Sequence, residues 1–257
     1  MHLILAKILI GLIVGILVGL TGLGAGVLLL PILIFAFRIP AMVAVGSDAV
    51  FNSITKMGSG YLHYRKGTVN RFLVAALLAG SIPGAIAGVA LLAFLRAHYG
   101  TGVNEFLKVI TGLLLILIPS LLLFQGQMKA GNEGFFAPQS GFRPAVMGVG
   151  LLAGFLVGMT SIGSGSVTMM LLLMMFPCSP ALIVGTDIVH AVVLTGFTSL
   201  LHLRLGTVDP LLVVYLLIGS IPGALLGTRL SSLLPGHWLK RILCCVLLVT
   251  GARMLMV

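Results

Sequence analysis

Gly19-Leu-Thr-Gly-Leu-Gly-Ala-Gly26 returns 139 residues later as Gly158-Met-Thr-Ser-Ile-Gly-Ser-Gly165, and each copy sits inside a long apolar run. Those runs, 3–37 and 144–176, hold 35 and 33 residues. As unbroken helices they would reach roughly 50 Å at 1.5 Å per residue, against a hydrocarbon core of about 30 Å. A break at the Gly/Ser/Thr cluster resolves the excess, leaving two short helical pieces joined by unwound chain.

The same offset holds along the chain without a gap. Val45-Gly-Ser-Asp48 aligns with Val184-Gly-Thr-Asp187, and His63-x-Arg65-x-Gly-Thr-Val69 with His202-x-Arg204-x-Gly-Thr-Val208. Gly80-Ser-Ile-Pro-Gly-Ala85 recurs unchanged from Gly219. Internal duplication in an apolar chain marks secondary transporters, whose substrate lies where the halves meet.

Composition gives the solvent. Of 257 residues 59% are hydrophobic and 8% charged, and the mean hydropathy is +1.23. No water-soluble surface is built from so few charges, so the expectation is an all-α integral membrane protein of the cell membrane, multi-pass, in a bacterial inner membrane. Long apolar runs favour helices over a barrel. Eight stretches stand out: 3–37, 42–62, 72–95, 105–124, 144–176, 180–201, 210–234 and 239–257, giving eight to ten spans. They divide into a first repeat, 1–124, a polar linker, 125–143, and a second repeat, 144–257. The chain carries +10 net charge, but its cations are scattered over short loops in the topogenic manner, so nucleic acid is not an expected partner.

Charge also speaks to orientation. Arg65, Lys66 and Arg71 crowd the loop after the second stretch, whereas its counterpart keeps Arg204 and adds Asp209. In the second half the cations move on to Arg229, Lys240 and Arg241, an opposed bias that points to inverted repeats. Inversion requires an odd number of crossings per half, hence a broken stretch that crosses twice.

The glycine clusters are the first candidate site. Helices restarting at Val27 and Val167 would aim free N–H groups and a positive dipole end at a buried anion. The candidate substrate-binding residues are Thr21, Gly24, Ala25, Gly26 and Val27 in the first cluster. In the second they are Thr160, Ser161, Gly163, Ser164, Gly165 and Ser166. The competing reading is close helix packing. Asp48 and Asp187, two of only five acidic residues, are coupling or gating candidates or, alternatively, helix-start acids. Lys56 joins the coupling candidates, with snorkelling to the interface as its alternative. Asn52 and His190 break the repeat symmetry at polar positions and complete the substrate-binding set; a packed histidine is the alternative for His190. His63, Arg65, His202 and Arg204 form an anion-attracting vestibule, or simply close a helix that Gly67 and Gly206 stop. The prolines at 83 and 222 are expected to kink their spans. Cys178, Cys244 and Cys245 show no metal or redox spacing. No catalytic set, metal site or cofactor is expected.

Taken together, Gly19–Gly26 followed by Pro31, its second copy from Gly158, Val184-Gly-Thr-Asp-Ile-Val-His190, His202-x-Arg-x-Gly-Thr-Val-Asp209 and Gly219-Ser-Ile-Pro-Gly-Ala resemble the TauE/SafE family of sulfite exporter-type anion transporters. Met170 stands where the first copy has Pro31, and Ser164 stands inside the second cluster. The resemblance implies a secondary transporter moving sulfite, thiosulfate or an organosulfonate by alternating access, with a coupling proton or sodium ion. An anion channel, or a transporter of an unrelated small solute, is the alternative. A membrane hydrolase or sulfur transferase would need a nucleophile with a base or a metal cluster, and neither is evident.

Overall fold

The chain is described here from a computed structural model covering residues 2–21, 26–125, 142–165, 167–175, 180–230 and 236–256, with backbone alone for Thr21 and some residues near helix ends. Among these residues all regular structure is helical, with no strand. The first five helices are α1 (His2–Thr21), α2 (Gly26–Phe35), α3 (Ala41–Arg65), α4 (Arg71–Tyr99) and α5 (Val103–Gln125). The other five are α6 (Phe142–Thr160), α7 (Val167–Met175), α8 (Pro180–Leu205), α9 (Pro210–Leu230) and α10 (Gly236–Met256). A 3-10 turn, Gly100–Gly102, joins α4 to α5. The second overlong stretch is therefore split at its glycine cluster; in the first, α1 and α2 flank residues 22–25, which lie outside the described residues. Ten α-helices are present among the described residues.

The helices pair across the halves. α1 packs along α9, and its equivalent α6 packs along α4. Glycines make both contacts. A Cβ on Gly11 or Gly15 of α1 would strike the carbonyls of Leu216 and Ser220. One on Gly219, Gly223 or Gly227 of α9 would strike those of Ile8, Leu12 and Ile16. The second pair repeats this arrangement: Gly80, Gly84 and Gly88 meet Met147, Leu151 and Phe155, while Gly150, Gly154 and Gly158 meet Leu77, Ser81 and Ala85. Small residues let the backbones touch, which is how helices adhere in lipid, where apolar burial gives no driving force. Residue numbers rise together on both sides, so each pair runs parallel. α4 and α9 continue as single helices through Pro83 and Pro222; the Gly-Ser-Ile-Pro-Gly motif supplies a contact surface without ending the helix.

Equivalent helices meet differently. In α3 and α8, Gly46 abuts Thr207, Gly196 abuts Ser53, Gly60 abuts Val192, and Gly185 abuts Thr68 and His63. Numbers rise on one helix as they fall on the other, so this pair is antiparallel. α5 and α10 follow suit: Gly112 meets Met254 and Leu255 while Gly251 meets Leu115 and Ile116. Gly112 and Gly251 are themselves repeat equivalents, so the duplication extends through the fourth and eighth stretches.

The conserved-looking turn motifs are joints. His63 C=O accepts from Thr68 N–H at 3.2 Å, and Tyr64 C=O accepts from Gly67 N–H at 3.3 Å. His202 with Thr207 (3.1 Å) and Leu203 with Gly206 (3.1 Å) repeat the pattern. With Gly67 and Gly206 at φ of 69° and 70°, this is a Schellman helix end. The next helix starts at once: Asn70 Oδ1 accepts from Phe72 and Leu73 N–H at 3.0 and 3.2 Å, and Asp209 Oδ1 from Leu212 N–H at 3.0 Å. Hydroxyls of the opposite half hold these starts, Thr186 Oγ1 accepting from Asn70 N–H at 2.9 Å and Ser47 Oγ from Asp209 N–H at 3.0 Å. Asn70→Ala is expected to cost about 1 kcal/mol, read as a lower thermal midpoint of the protein in detergent; an unchanged midpoint would show that the cap is dispensable.

The core forms around α2. Eight of its ten residues are buried, Leu29, Leu30 and Leu33 completely, as an all-apolar helix enclosed by others requires. Outward, Leu5, Leu9 and Ile13 of α1 and Leu113, Leu117 and Leu121 of α5 form exposed stripes. Such faces would drive association in water but are solvated by lipid tails.

Candidate functional site

The second glycine cluster is unwound. α6 ends as Val157 C=O accepts from Ser161 N–H at 2.8 Å, and α7 begins only at Val167. Between them Ser161 has φ 57°, Gly163 φ 113° and Gly165 φ 122°. These left-handed values cost a residue with a Cβ of order 1–3 kcal/mol, which is why the run is glycine-rich and why strained Ser161 draws notice. Thr160 fixes the start of the loop, donating to Leu156 C=O at 2.7 Å and accepting from Ile162 N–H at 3.3 Å. Thr168 fixes its end by donating to Gly163 C=O at 3.3 Å.

This loop meets the start of α2. Gly26, Val27, Asn52 and Ser161–Ser164 line one narrow recess. A Cβ on Gly26 would lie 2.6 Å from Asp48 Oδ2, 3.1 Å from Ser161 O and 3.2 Å from Asn52 Nδ2, so only glycine permits this approach. The recess thus joins the first N–H-bearing residues of α2 to the unwound loop of the other half. Unpaired backbone donors at a helix start suit an anion.

α3 supplies the polar wall. Asp48 is the eighth residue of α3 and Asp187 the eighth of α8. Neither is a helix-start acid: both lie two turns inside and are buried. Asn52 Nδ2 donates to Asp48 Oδ2 at 2.8 Å. One turn further, Lys56 Nζ donates to Ser164 C=O and, at 3.2 Å, to Ser164 Oγ. Lys56 is 7% exposed, the one buried lysine or arginine among the described residues, so it does not snorkel. Its ammonium feels both Asp48 and Asp187, although among the described residues neither carboxylate is within 4.0 Å of it. Ser161 Oγ lies within interaction range of the Asp48 carboxylate.

The other candidates occupy different places. His190 is buried and shares a 3.0 Å hydrogen bond between Nε2 and Ser81 Oγ, with Nδ1 unpartnered; it does not border the recess. Gly165 lies at the end of the loop. Gly24, Ala25 and Ser166 lie outside the described residues, as does the side chain of Thr21. His63 and His202 belong to the helix ends, each 2.9 Å from a threonine hydroxyl through Nδ1, and His202 Nε2 also donates to Gly158 C=O at 3.1 Å. Arg65, over the Tyr61 ring, and Arg204 are exposed. The two histidine motifs sit at opposite ends of the antiparallel α3–α8 pair. Sequence reasoning did not find Ile162, Thr168, Ser81, Ser47 or Thr186; single hydroxyls in apolar helices carry no spacing signal.

No group of three or more His, Cys, Asp or Glu that would hold a metal occurs among the described residues. No solved structure matches the chain. Curated relatives do, over 96% of this chain. A probable membrane transporter protein of Bacillus subtilis (strain 168), YjnA, is 38% identical with 98% of its own length covered. YdhB of the same organism is 28% identical, also with 98% covered, and YunE is 26% identical with 96% covered; both are named probable membrane transporter proteins. The family model described as sulfite exporter TauE/SafE matches residues 7–254. The helical bundle and this match over almost the whole length make the chain a multi-pass membrane transporter and not an enzyme, and it belongs to the TauE/SafE sulfite exporter family.

Proposed function

We propose that the protein moves a small sulfur-containing anion (sulfite, thiosulfate or an organosulfonate) by alternating access, and that the anion binds in the recess between α2 and the α6–α7 loop. The observation that carries this is the meeting of both glycine clusters beside a buried ammonium. A desolvated oxyanion needs several donors and a compensating charge. The first N–H groups of α2, the Ser161 and Ser164 hydroxyls and Lys56 meet that need. The family's description as sulfite exporters gives the substrate class. The described residues leave too little room there for a hydrated anion, which favours a transporter between cycles over a conducting pore.

Helix directions support inverted repeats. α3 and α8 are equivalent and antiparallel. α9 doubles back from α8 through a four-residue joint, so it runs with α3; α1 runs parallel to α9, hence also with α3. The chain must therefore return between α1 and α3, and α2 lies on that return. The same reasoning applied to α4, α6 and α8 makes α7 a return. Five passes per half, ten in all, invert the second repeat. The interlocked halves can then rock about the shared recess.

Ser161→Ala tests the site cleanly. The substitution gives up at most a contact with Asp48, which the thermal midpoint reads separately, while a hydrogen bond to a charged ligand is worth about 1.5–3 kcal/mol. Thiosulfate uptake into proteoliposomes should show an apparent affinity roughly ten-fold weaker or more. Unchanged affinity would place the anion elsewhere.

A further inference from the structure

We infer that Asp187 carries a coupling proton, so that anion and proton bind together and cross together; this rests on the anion-transport reading above. Among the described residues the buried interior holds two carboxylates, Asp48 and Asp187, and one ammonium, Lys56. An anion in the recess adds negative charge where solvent does not screen it, and an uncompensated buried charge is very costly. Proton uptake by one carboxylate from the water on the open side offsets one unit of it; release on the other side resets the cluster.

The repeat symmetry is broken in a way that selects the carboxylate. Asp48 has Asn52 donating to Oδ2 at 2.8 Å, a protein donor that meets part of its hydrogen-bonding need. The equivalent of Asn52 is Ala191, so Asp187 lacks that amide. Oδ1 is buried without a hydrogen bond in both aspartates, so the Asn52 amide on Asp48 Oδ2 is what sets them apart. The equivalent of Lys56 is Thr195, whose hydroxyl is donated to Ala191 C=O at 2.7 Å. From α3, Lys56 faces Asp187, and His63 lies against Gly185 two residues before it. On α8 itself His190 follows one turn on, bonded to Ser81 of α4. α7 presents no charged side chain among the described residues, and α6 has Arg143 only in its exposed first turn. When Lys56 turns from Ser164 to the anion, Asp187 is the buried carboxylate left without a partner.

Thiosulfate is a suitable probe because its own charge is constant across neutral pH. Its dissociation constant for the purified protein should rise by up to ten-fold per pH unit on the alkaline side, the linkage slope for one proton. Asp187→Asn should flatten that slope. In weakly buffered detergent solution, wild-type protein should take up about one proton per thiosulfate bound, a measurement that stands even where the variant does not fold. A pH-independent dissociation constant, binding that follows sodium instead of pH, no proton uptake, or an undiminished slope in Asp187→Asn would each overturn the inference. Failure of wild-type protein to bind thiosulfate, sulfite or taurine at any pH would instead overturn the anion reading, and this inference with it.

Discussion

Lys56→Met should abolish saturable anion uptake while the protein still reaches the membrane. Truncating one member of a buried charged group leaves its partners uncompensated and costs about 3–5 kcal/mol. For an anion that relies on the ammonium this is an affinity loss of at least roughly a hundred-fold. The folded state bears a related cost, because Asp48 and Asp187 lose their shared counter-charge and Ser164 C=O loses its donor. The double variant Lys56→Met/Asp48→Asn separates the two effects. Neutralising Asp48 restores charge balance, so the thermal midpoint should recover toward wild type while thiosulfate uptake stays at the background of empty liposomes. Uptake that recovers together with the midpoint would make Lys56 a purely structural cation.

Alanine at the glycine contacts is the second large effect. In an open helix position Gly→Ala stabilises by about 1 kcal/mol through backbone entropy. Gly58 and Gly148 are such positions, with nothing within 4 Å of an added Cβ. Gly80 and Gly219 are the opposite case, since the added carbon would overlap the carbonyl oxygens of Met147 and Ile8. Relief requires α4 to move from α6, or α9 from α1, forfeiting the backbone contact along the whole helix pair. The cost should exceed the 1–3 kcal/mol typical of overpacking. Thermal unfolding in detergent should therefore show Gly58→Ala and Gly148→Ala at or above wild type. Gly80→Ala and Gly219→Ala should fall well below it, the pair combined giving no monodisperse protein. Equal midpoints for all four would deny that the glycines hold the halves together.

The sequence exposes what repeats and what has a fixed length. A 33-residue apolar run with glycines in its middle does not fit a bilayer as one helix, so the split at α6–α7 was legible, as was its likeness to the run that holds α1 and α2. The His-x-Arg-x-Gly-Thr-Val segments were legible as helix stops, because only glycine takes the left-handed backbone at Gly67 and Gly206 without strain. Partnerships between distant residues were not legible. Lys56 finds Ser164, 108 residues away, through helix packing that no local pattern encodes. Asp48 reads equally as a helix start and as a buried acid, because where α3 begins, at Ala41 after Pro40, is marked by no side-chain cap. His190 draws attention as a polar group in an apolar helix, but its partner Ser81 lies in a motif whose glycines dominate the reading.

The shared recess is the central claim, and locating a bound anion tests it most directly. Selenite is a shape and charge analogue of sulfite with a strong anomalous signal, so diffraction from crystals soaked at its absorption edge reports its position. The account predicts a peak between Gly26–Val27 and Ser161–Ser164, within about 3.5 Å of the Lys56 ammonium. A peak at either histidine helix end, with the recess empty and Lys56 still bonded to Ser164, would contradict it.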